Sequence, residues 1–390
     1  MTNIYLIRHA EAEGNLYRRA QGQYNALITP LGRSQIALLA ERFRETPIDA
    51  LYSSDLIRTQ STASAILKYH PELTIQTDPR LREINVGVWE DVPWGNLSRD
   101  WPEQMELFAR DPERYQVPGS EHFGAVVERM VTVLTELAEK HDGQTIAAFS
   151  HGMAIRALLC HLMGLSSEQV IQVPHGDNTA VHLLHYENGK FTIEYYNDNR
   201  HLTDEASTFA RQVWWRKETG GNEDTDNAVF DPLDPSAEAA LYTRCYAETW
   251  RASHGDLAGF NESVYLAMAK THAALDPQQL VQMRCGGEFV GLIELDRERA
   301  AQEKAGWISL IFCEQAYRRR RLGIQLLGHA VSYFRARGYE KLRLHVSQTN
   351  TEAIGFYERC GFRTLQSVQG VGGDLWLMEM DIRPAIWYLP

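Results

Sequence analysis

The sequence predicts an α/β protein built as two domains. Apolar runs at residues 4–7, 48–52 and 145–149 each stop at polar or charged residues and lead toward a helix, which is the pattern of strands buried on both faces of a sheet. The length of 390 residues exceeds what one hydrophobic core usually supports. Between the halves, residues 217–236 carry one Lys against six Asp and Glu, together with Gly220, Gly221, Pro232 and Pro235. A segment with so little to bury and so many helix breakers reads as an exposed acidic linker. The expected domains are therefore 1–216 and 237–390.

Composition narrows the setting. With 44% hydrophobic and 23% charged residues the chain is ordinary globular material, and no apolar stretch reaches the ~20 residues of a bilayer span. Residues 1–216 hold 20 Lys/Arg and 28 Asp/Glu, residues 237–390 hold 18 and 17, and the whole chain has a net charge of −12. That balance argues against nucleic-acid partners, whose binding depends on neutralising phosphates with Lys and Arg. The amino terminus enters a strand by Ile4 with no basic leader, so no signal or transit peptide is expected. Cys160, Cys245, Cys285, Cys313 and Cys360 form neither an even framework nor a CxxC pair. A reducing cytoplasm is the simplest setting, and the oligomeric state stays open.

Taken in order, the first strand ends in Arg8 and His9. In open α/β sheets ligands bind beyond the carboxyl ends of such strands. The guanidinium of Arg8 suits phosphate, and a neutral His9 imidazole is a nucleophile able to carry a phosphoryl group. The second strand ends in Ser53-Ser54-Asp55, where Ser and Asp favour a helix N-cap and place Arg58 in the first turn. The third runs into Ser150-His151-Gly152 before an apolar helix over 153–163. Three strand ends thus deliver Arg8, His9, Arg58 and His151 to one crevice. No cluster of metal ligands is read from the sequence.

These segments resemble the histidine phosphatase superfamily, the phosphoglycerate-mutase-like proteins, over about residues 1–205. Arg8-His9-Ala10-Glu11 with Asn15 is similar to the family's opening motif. Residues 53–59 look like its second arginine segment, residues 81–90 its acid-donor segment, and Ser150-His151-Gly152 its second histidine. The resemblance implies a three-layer α/β/α sheet, His9 as phosphate acceptor, and Arg8, Arg58 and His151 around the phosphoryl oxygens. It also implies Glu83 as proton donor, with Asn15 and the Gln21-Gly22 loop adding substrate contacts. Ala10 and Asn25 depart from the family pattern without removing a reacting group. Mutase and phosphatase share all these residues. The segment between Glu83 and Ser150 is short for a mutase; its Trp89, Trp94, Trp101, Phe108 and Tyr115 either pack under a lid or face an organic leaving group. Hydrolysis is therefore preferred.

In the second half, helical material is expected from residue 237 to about 253 and on to about 274. Apolar stretches follow at 280–283 and 289–295, joined by a turn at Cys285-Gly286-Gly287. A strand over 307–313 precedes Arg318-Arg319-Arg320-Arg321-Leu322-Gly323 at a helix entrance, where loop amides and clustered guanidiniums suit a pyrophosphate. A further strand at 342–346 leads to Asn350 and a short helix carrying Tyr357 and closed by Gly361. Residues 237 to about 382 resemble the GNAT-type N-acetyltransferases, an α+β fold with a mixed sheet. The resemblance implies acetyl-coenzyme A as cofactor: Ile311 and Cys313 against the pantetheine, Arg318, Arg319, Arg320, Arg321, Leu322 and Gly323 around the pyrophosphate, Asn350 beside it, and Tyr357 protonating the thiolate. Arg321 stands where the family has a glycine. Glu294 is a candidate base, with a paired surface carboxylate as the alternative.

The expected protein is thus a bifunctional enzyme: metal-independent phosphomonoester hydrolysis through a phosphohistidine, plus acetyl transfer to an amine. Its partners are a small phosphorylated metabolite and a small-molecule or peptide amine, with neither nucleic acid nor membrane. The alternatives are a mutase in front, or a rear domain that senses coenzyme A without catalysis.

Overall fold

The computed structural model describes residues 1–211 and 227–390 and divides into two units, Met1–Gly220 with Pro384–Pro390, and Gly221–Arg383. In unit 1 the strands are β1 (Thr2–Arg8), β2 (Ala50–Ser53), β3 (Ile75–Thr77), β4 (Thr145–Ser150), β5 (Val181–Glu187) and β6 (Lys190–Asp198). The helices are α1 (Glu13–Tyr17), α2 (Pro30–Phe43), α3 (Ile57–Leu67), α4 (Trp94–Asp100), α5 (Pro102–Arg110), α6 (Phe123–Lys140), α7 (Gly152–Leu162) and α8 (Thr208–Arg211). The sheet order is β3-β2-β4-β1-β5-β6, with β3, β2, β4 and β1 parallel and β5 antiparallel to both of its neighbours.

Alternation along the central strands explains their unbroken apolar runs. Ile4 and Leu6 of β1, with Ile146 and Ala148 of β4, join a core that includes Met130, Leu134 and Leu158 of α6 and α7. Ile7, Ala147 and Phe149 join a second core with Ile36, Leu39 and Phe43 of α2 and Ile66 of α3. Both faces are buried, giving three layers, and each Ile, Leu, Met or Phe among these side chains contributes ~1.5–3 kcal/mol. The α2 start has Pro30 at its first position and Thr29 Oγ1 accepting from the Gly32 N–H at 3.0 Å.

Unit 2 contains α9 (Ala239–His254), α10 (Glu262–Leu275), α11 (Leu322–Arg335) and α12 (Thr351–Arg359). Its strands are β7 (Val229–Pro232), β8 (Leu280–Cys285), β9 (Glu288–Asp296), β10 (Ala305–Cys313), β11 (Lys341–Ser347), β12 (Arg363–Gly370) and β13 (Gly373–Asp381). They form one mixed sheet in the order β12-β13-β11-β10-β9-β8-β7, in which β10 and β11 run parallel. The β8–β9 turn occurs at Gly286 and Gly287, with φ of 57° and 84°, the left-handed pair a tight hairpin requires. Tyr242, Cys245 and Ala269 of α9 and α10 pack on Leu280, Leu292, Leu310 and Phe312 of the sheet.

Two expected boundaries change. Residues 229–232, assigned to the linker, form the edge strand β7, with Phe230 opposite Met283. Ala228, Phe230 and Leu233 are buried, so apolar content sits among the acidic residues; positions 217–226 lie outside the described residues. The second correction concerns the carboxyl end. Residues 384–390, expected in the second domain, belong to unit 1: the Trp387 and Leu389 N–H groups donate to Ser61 Oγ and Ser64 Oγ, each at 2.9 Å. Trp387 and Leu389 pack on the α2–α3 core, and Arg33 lies 5.3 Å over the Trp387 ring. Among the described residues no helix is long and apolar enough to cross a membrane.

Candidate active site

The carboxyl ends of β1, β2 and β4 lie side by side, since Arg8 pairs with Ser150 and Ser53 with Phe149. His9 follows β1 and is 3% exposed; His151 follows β4 and is fully buried as the residue capping α7. Their ring centroids are 5.3 Å apart. Nδ1 of His9 lies 2.8 Å from the Ala10 carbonyl, which can only accept, so that nitrogen carries the hydrogen and Nε2 keeps its lone pair. Burial, then the Arg58 and Arg8 charges, hold His9 well below the usual imidazole range, and burial with Arg58 does the same to His151. Both rings are neutral at physiological pH.

Arg58 is completely buried in the first turn of α3. Its Nη1 and Nη2 donate to the Tyr24 and Gly22 carbonyls at 2.8 and 2.6 Å. Desolvation lowers its pKa to about 10, against the opposing pull of Glu83 and Glu90, so the group stays cationic. Arg8 donates through Nη1 to the Gly176 carbonyl. Gly152 lets it cross the start of α7, because a Cβ there would stand 3.3 Å from Arg8 Nε. The helix start differs from expectation: Leu56, not Ser or Asp, is the N-cap residue of α3. Ser54 Oγ instead accepts from the Leu56 N–H, Asp55 pairs with Arg82, and Asn25 Oδ1 takes the Ile57 N–H at 3.1 Å. The departure at Asn25 thus supplies the missing cap from a neighbouring loop.

Glu83 sits at the amino end of α7. Its Oε1 accepts from the Ile84 and Ala154 N–H groups at 3.0 and 2.8 Å, and Oε2 from Met153 at 3.0 Å. Arg129 fixes the backbone beneath it through the Arg80, Arg82 and Glu83 carbonyls. Within this crevice Arg8 Nε, Arg58 Nε, both His151 ring nitrogens and Gln21 Oε1 are buried without a partner. Buried polar atoms are normally satisfied, so a cluster of this kind points to a polar ligand, and its guanidinium donors to an oxyanion. Asn15 Oδ1 accepts from the Ala12 N–H at 3.1 Å, a local task in the 12–15 turn.

Sequence reasoning missed Asp177 and Asn178. Asn178 Nδ2 donates to the His9 carbonyl at 2.9 Å, and Asp177 is the main charge opposing the desolvation of Arg8. They lie in the loop before β5, with no strand-to-helix signature to mark them. The lid aromatics pack on one another: Trp89 is fully buried, with ring centroids 5.0 Å from Tyr115 and 6.0 Å from Phe108.

In unit 2, β10 and β11 pair only from Ala305 to Ile308, yet β10 runs on to Cys313 and β11 to Ser347. They part beyond Ile308, where β10 also shifts register against β9 between Ile308 and Leu310 and Ser309 Oγ is buried without a partner. Arg318 Nε donates to the Cys313 carbonyl at 3.1 Å. Arg319 and Arg321 have φ of 63° and 61°, and Arg321 caps α11. The loop therefore keeps a left-handed bend where glycine would be at ease. This wedge, its orphaned hydroxyl and the basic helix entrance fit a pantetheine and its pyrophosphate. Asn350 is the N-cap of α12, its Oδ1 accepting from the Ala353 N–H. Tyr357 on the same helix packs against Phe356 and Phe362, and burial raises its phenol above the ordinary value. Glu294 is 1% exposed, accepting from Tyr242 at 2.8 Å and paired with His272 at 2.7 Å. It is paired, but in the core rather than on the surface.

Comparison with known proteins agrees with this geometry. Residues 4–199 match the histidine phosphatase superfamily (branch 1), and residues 239–362 the acetyltransferase (GNAT) family. The probable phosphoglycerate mutase GpmB of Yersinia pestis (strain Pestoides F) is 38% identical over 165 residues, covering 42% of this chain and 76% of that protein. Its counterpart in Yersinia pseudotuberculosis serotype O:1b has the same identity and coverage. Among solved structures, Bacillus stearothermophilus YhfR aligns with a TM-score of 0.50 and 26% identity over 52% of this chain and 99% of its own. With its motifs, crevice and relatives in agreement, the chain belongs to the histidine phosphatase superfamily and joins that domain to a GNAT acetyltransferase domain.

Proposed function

We propose that unit 1 hydrolyses phosphomonoesters of small metabolites through a phosphohistidine and without a metal ion. The observation that carries this reading is the 2.8 Å contact between His9 Nδ1 and the Ala10 carbonyl, which leaves the Nε2 lone pair of a neutral ring as the nucleophile, in a crevice shared with buried Arg8, Arg58 and His151. Nε2 attacks phosphorus, the ester P–O bond breaks, and Glu83 supplies the proton to the leaving oxygen. Water then attacks the phosphohistidine, Glu83 takes its proton, the P–N bond breaks and phosphate departs. Arg8, Arg58 and His151 stabilise charge on the peripheral oxygens, the largest demand of phosphoryl transfer. Asn15 and the Gln21-Gly22 loop add substrate contacts in this reading.

For unit 2 we infer acetyl transfer to an amine. Acetyl-coenzyme A would bring the activated acetyl group; Ile311 and Cys313 would offer main-chain groups to the pantetheine, Arg318–Gly323 would hold the pyrophosphate, and Asn350 would lie beside the cofactor. As the amine nitrogen bonds to the acetyl carbon and the C–S bond breaks, Tyr357, whose phenol burial keeps protonated, would give its proton to the leaving sulfur, and the proton shed by the amine would restore the phenol. Placing the amine beside the thioester supplies much of the acceleration.

The Yersinia relatives, named as probable phosphoglycerate mutases, support a second reading of unit 1 as a mutase. A phosphomonoester panel at pH 5 to 8 with EDTA separates the two. The phosphatase reading expects inorganic phosphate from at least one class of ester; isomerised substrate without net phosphate release would establish the mutase. Release of free thiol from acetyl-coenzyme A in the presence of an amine panel tests unit 2, and binding without turnover would mark a sensor.

A further inference from the structure

Arg58 reaches a carboxylate through a peptide rather than directly. Its Nη2 donates to the Gly22 carbonyl at 2.6 Å, and the N–H of the same peptide, that of Gln23, donates to Glu90 Oε1 at 2.7 Å. Tyr24 is gripped from both sides across two peptides, with its N–H on Glu90 Oε2 at 2.9 Å and its carbonyl accepting from Arg58 Nη1 at 2.8 Å. Glu90 Oε1 also accepts from the Val86 N–H at 3.3 Å, tying the loop to the segment that carries Glu83. Position 22 is shaped for this: a Cβ there would stand 2.3 Å from Glu90 Oε1 and 2.7 Å from the Ile84 carbonyl.

We propose that Glu90 is a positioning residue of the phosphoryl site, acting on Arg58 through the 22–24 backbone; the proposal rests on the phosphatase reading of unit 1. A carboxylate paired directly with Arg58 would occupy the hydrogen-bonding edges needed by a phosphoryl oxygen. Glu90 fixes both carbonyls through the 22–24 backbone, polarises that of Gly22, whose peptide it holds, toward the guanidinium, and leaves Nε uncommitted. It also opposes the loss of charge on Arg58, which is wholly buried. Glu90 touches no reacting atom in this scheme.

The test is a double-mutant cycle in the full chain, reading kcat/KM for p-nitrophenyl phosphate and the Kd of inorganic phosphate. Glu90→Gln should lower kcat/KM by ~10–100-fold, the scale of a misplaced transition-state contact, and weaken phosphate binding. In an Arg58→Lys background, where the fork it positions is gone, the same change should cost less than about threefold. Gly22→Ala pushes the same peptide off Glu90 without altering charge and should show the same dependence on Arg58, which covers the case of a Glu90 variant that does not fold. Equal losses in both backgrounds, or no loss in either, would overturn the proposal. Wild-type protein that neither releases nor binds phosphate would instead overturn the phosphatase reading beneath it.

Discussion

His9 and His151 show how one residue type is given two tasks by its surroundings. Both are buried beside the same guanidiniums and kept neutral, but His9 has its Nδ1 tied to the Ala10 carbonyl whereas neither nitrogen of His151 has a partner. In the proposed reaction the first is the nucleophile and the second meets the phosphoryl oxygens. Glu83 gives the sharpest prediction at this scale. Glu83→Gln preserves shape but carries no exchangeable acid, so esters with poor leaving groups should slow by ~10²–10⁴. p-Nitrophenyl phosphate, whose leaving group needs no proton, should slow far less; equal losses in paired kcat measurements would contradict the acid role. These residues were legible in the sequence because each ends an apolar run or lies in a motif. Asp177, Asn178 and the bridging task of Glu90 were not, since their partners are set by tertiary contacts from the loops before β5 and after β1.

Helix starts are the elements on which both candidate sites depend, and their strain is unequal. The α3 start is relaxed, with Asn25 lending a cap, whereas the α11 entrance holds Arg319 and Arg321 in left-handed conformations. Arg321→Gly should relieve ~1 kcal/mol of backbone strain and raise the unfolding midpoint of unit 2, read by calorimetry. If the Arg321 side chain also contacts the pyrophosphate, acetyl-coenzyme A affinity should fall as stability rises; a lower midpoint would show that the side chain outweighs the strain. The glycine pair of the β8–β9 hairpin was read correctly because its φ demand is local. The α3 cap was not, because Ser54 and Asp55 are drawn to the Leu56 N–H and to Arg82.

For the whole molecule, the two-unit division followed from chain length and the acidic stretch, but the ends of the units did not. β7 was hidden because its buried Phe230 sits among acids. The tail was hidden because nothing local signals that Trp387 will meet Ser61, 326 residues earlier. Its docking binds the carboxyl terminus to the outside of α3, the helix that carries Arg58. Deleting residues 384–390 removes the Trp387 and Leu389 contacts with the α2–α3 core and should destabilise unit 1 by about 2 kcal/mol. Thiol release by unit 2 should persist, and an unchanged unit 1 midpoint in a thermal melt would show that the tail adds nothing.

The central claim is that phosphate passes through His9. Rapid quench of the enzyme with a phosphomonoester in EDTA, under alkaline conditions that preserve phosphohistidine, followed by peptide mass spectrometry, tests it directly. A phosphorylated peptide bearing His9 is expected in wild type, and neither adduct nor phosphate release in His9→Ala. Phosphate release that survives in His9→Ala would contradict it.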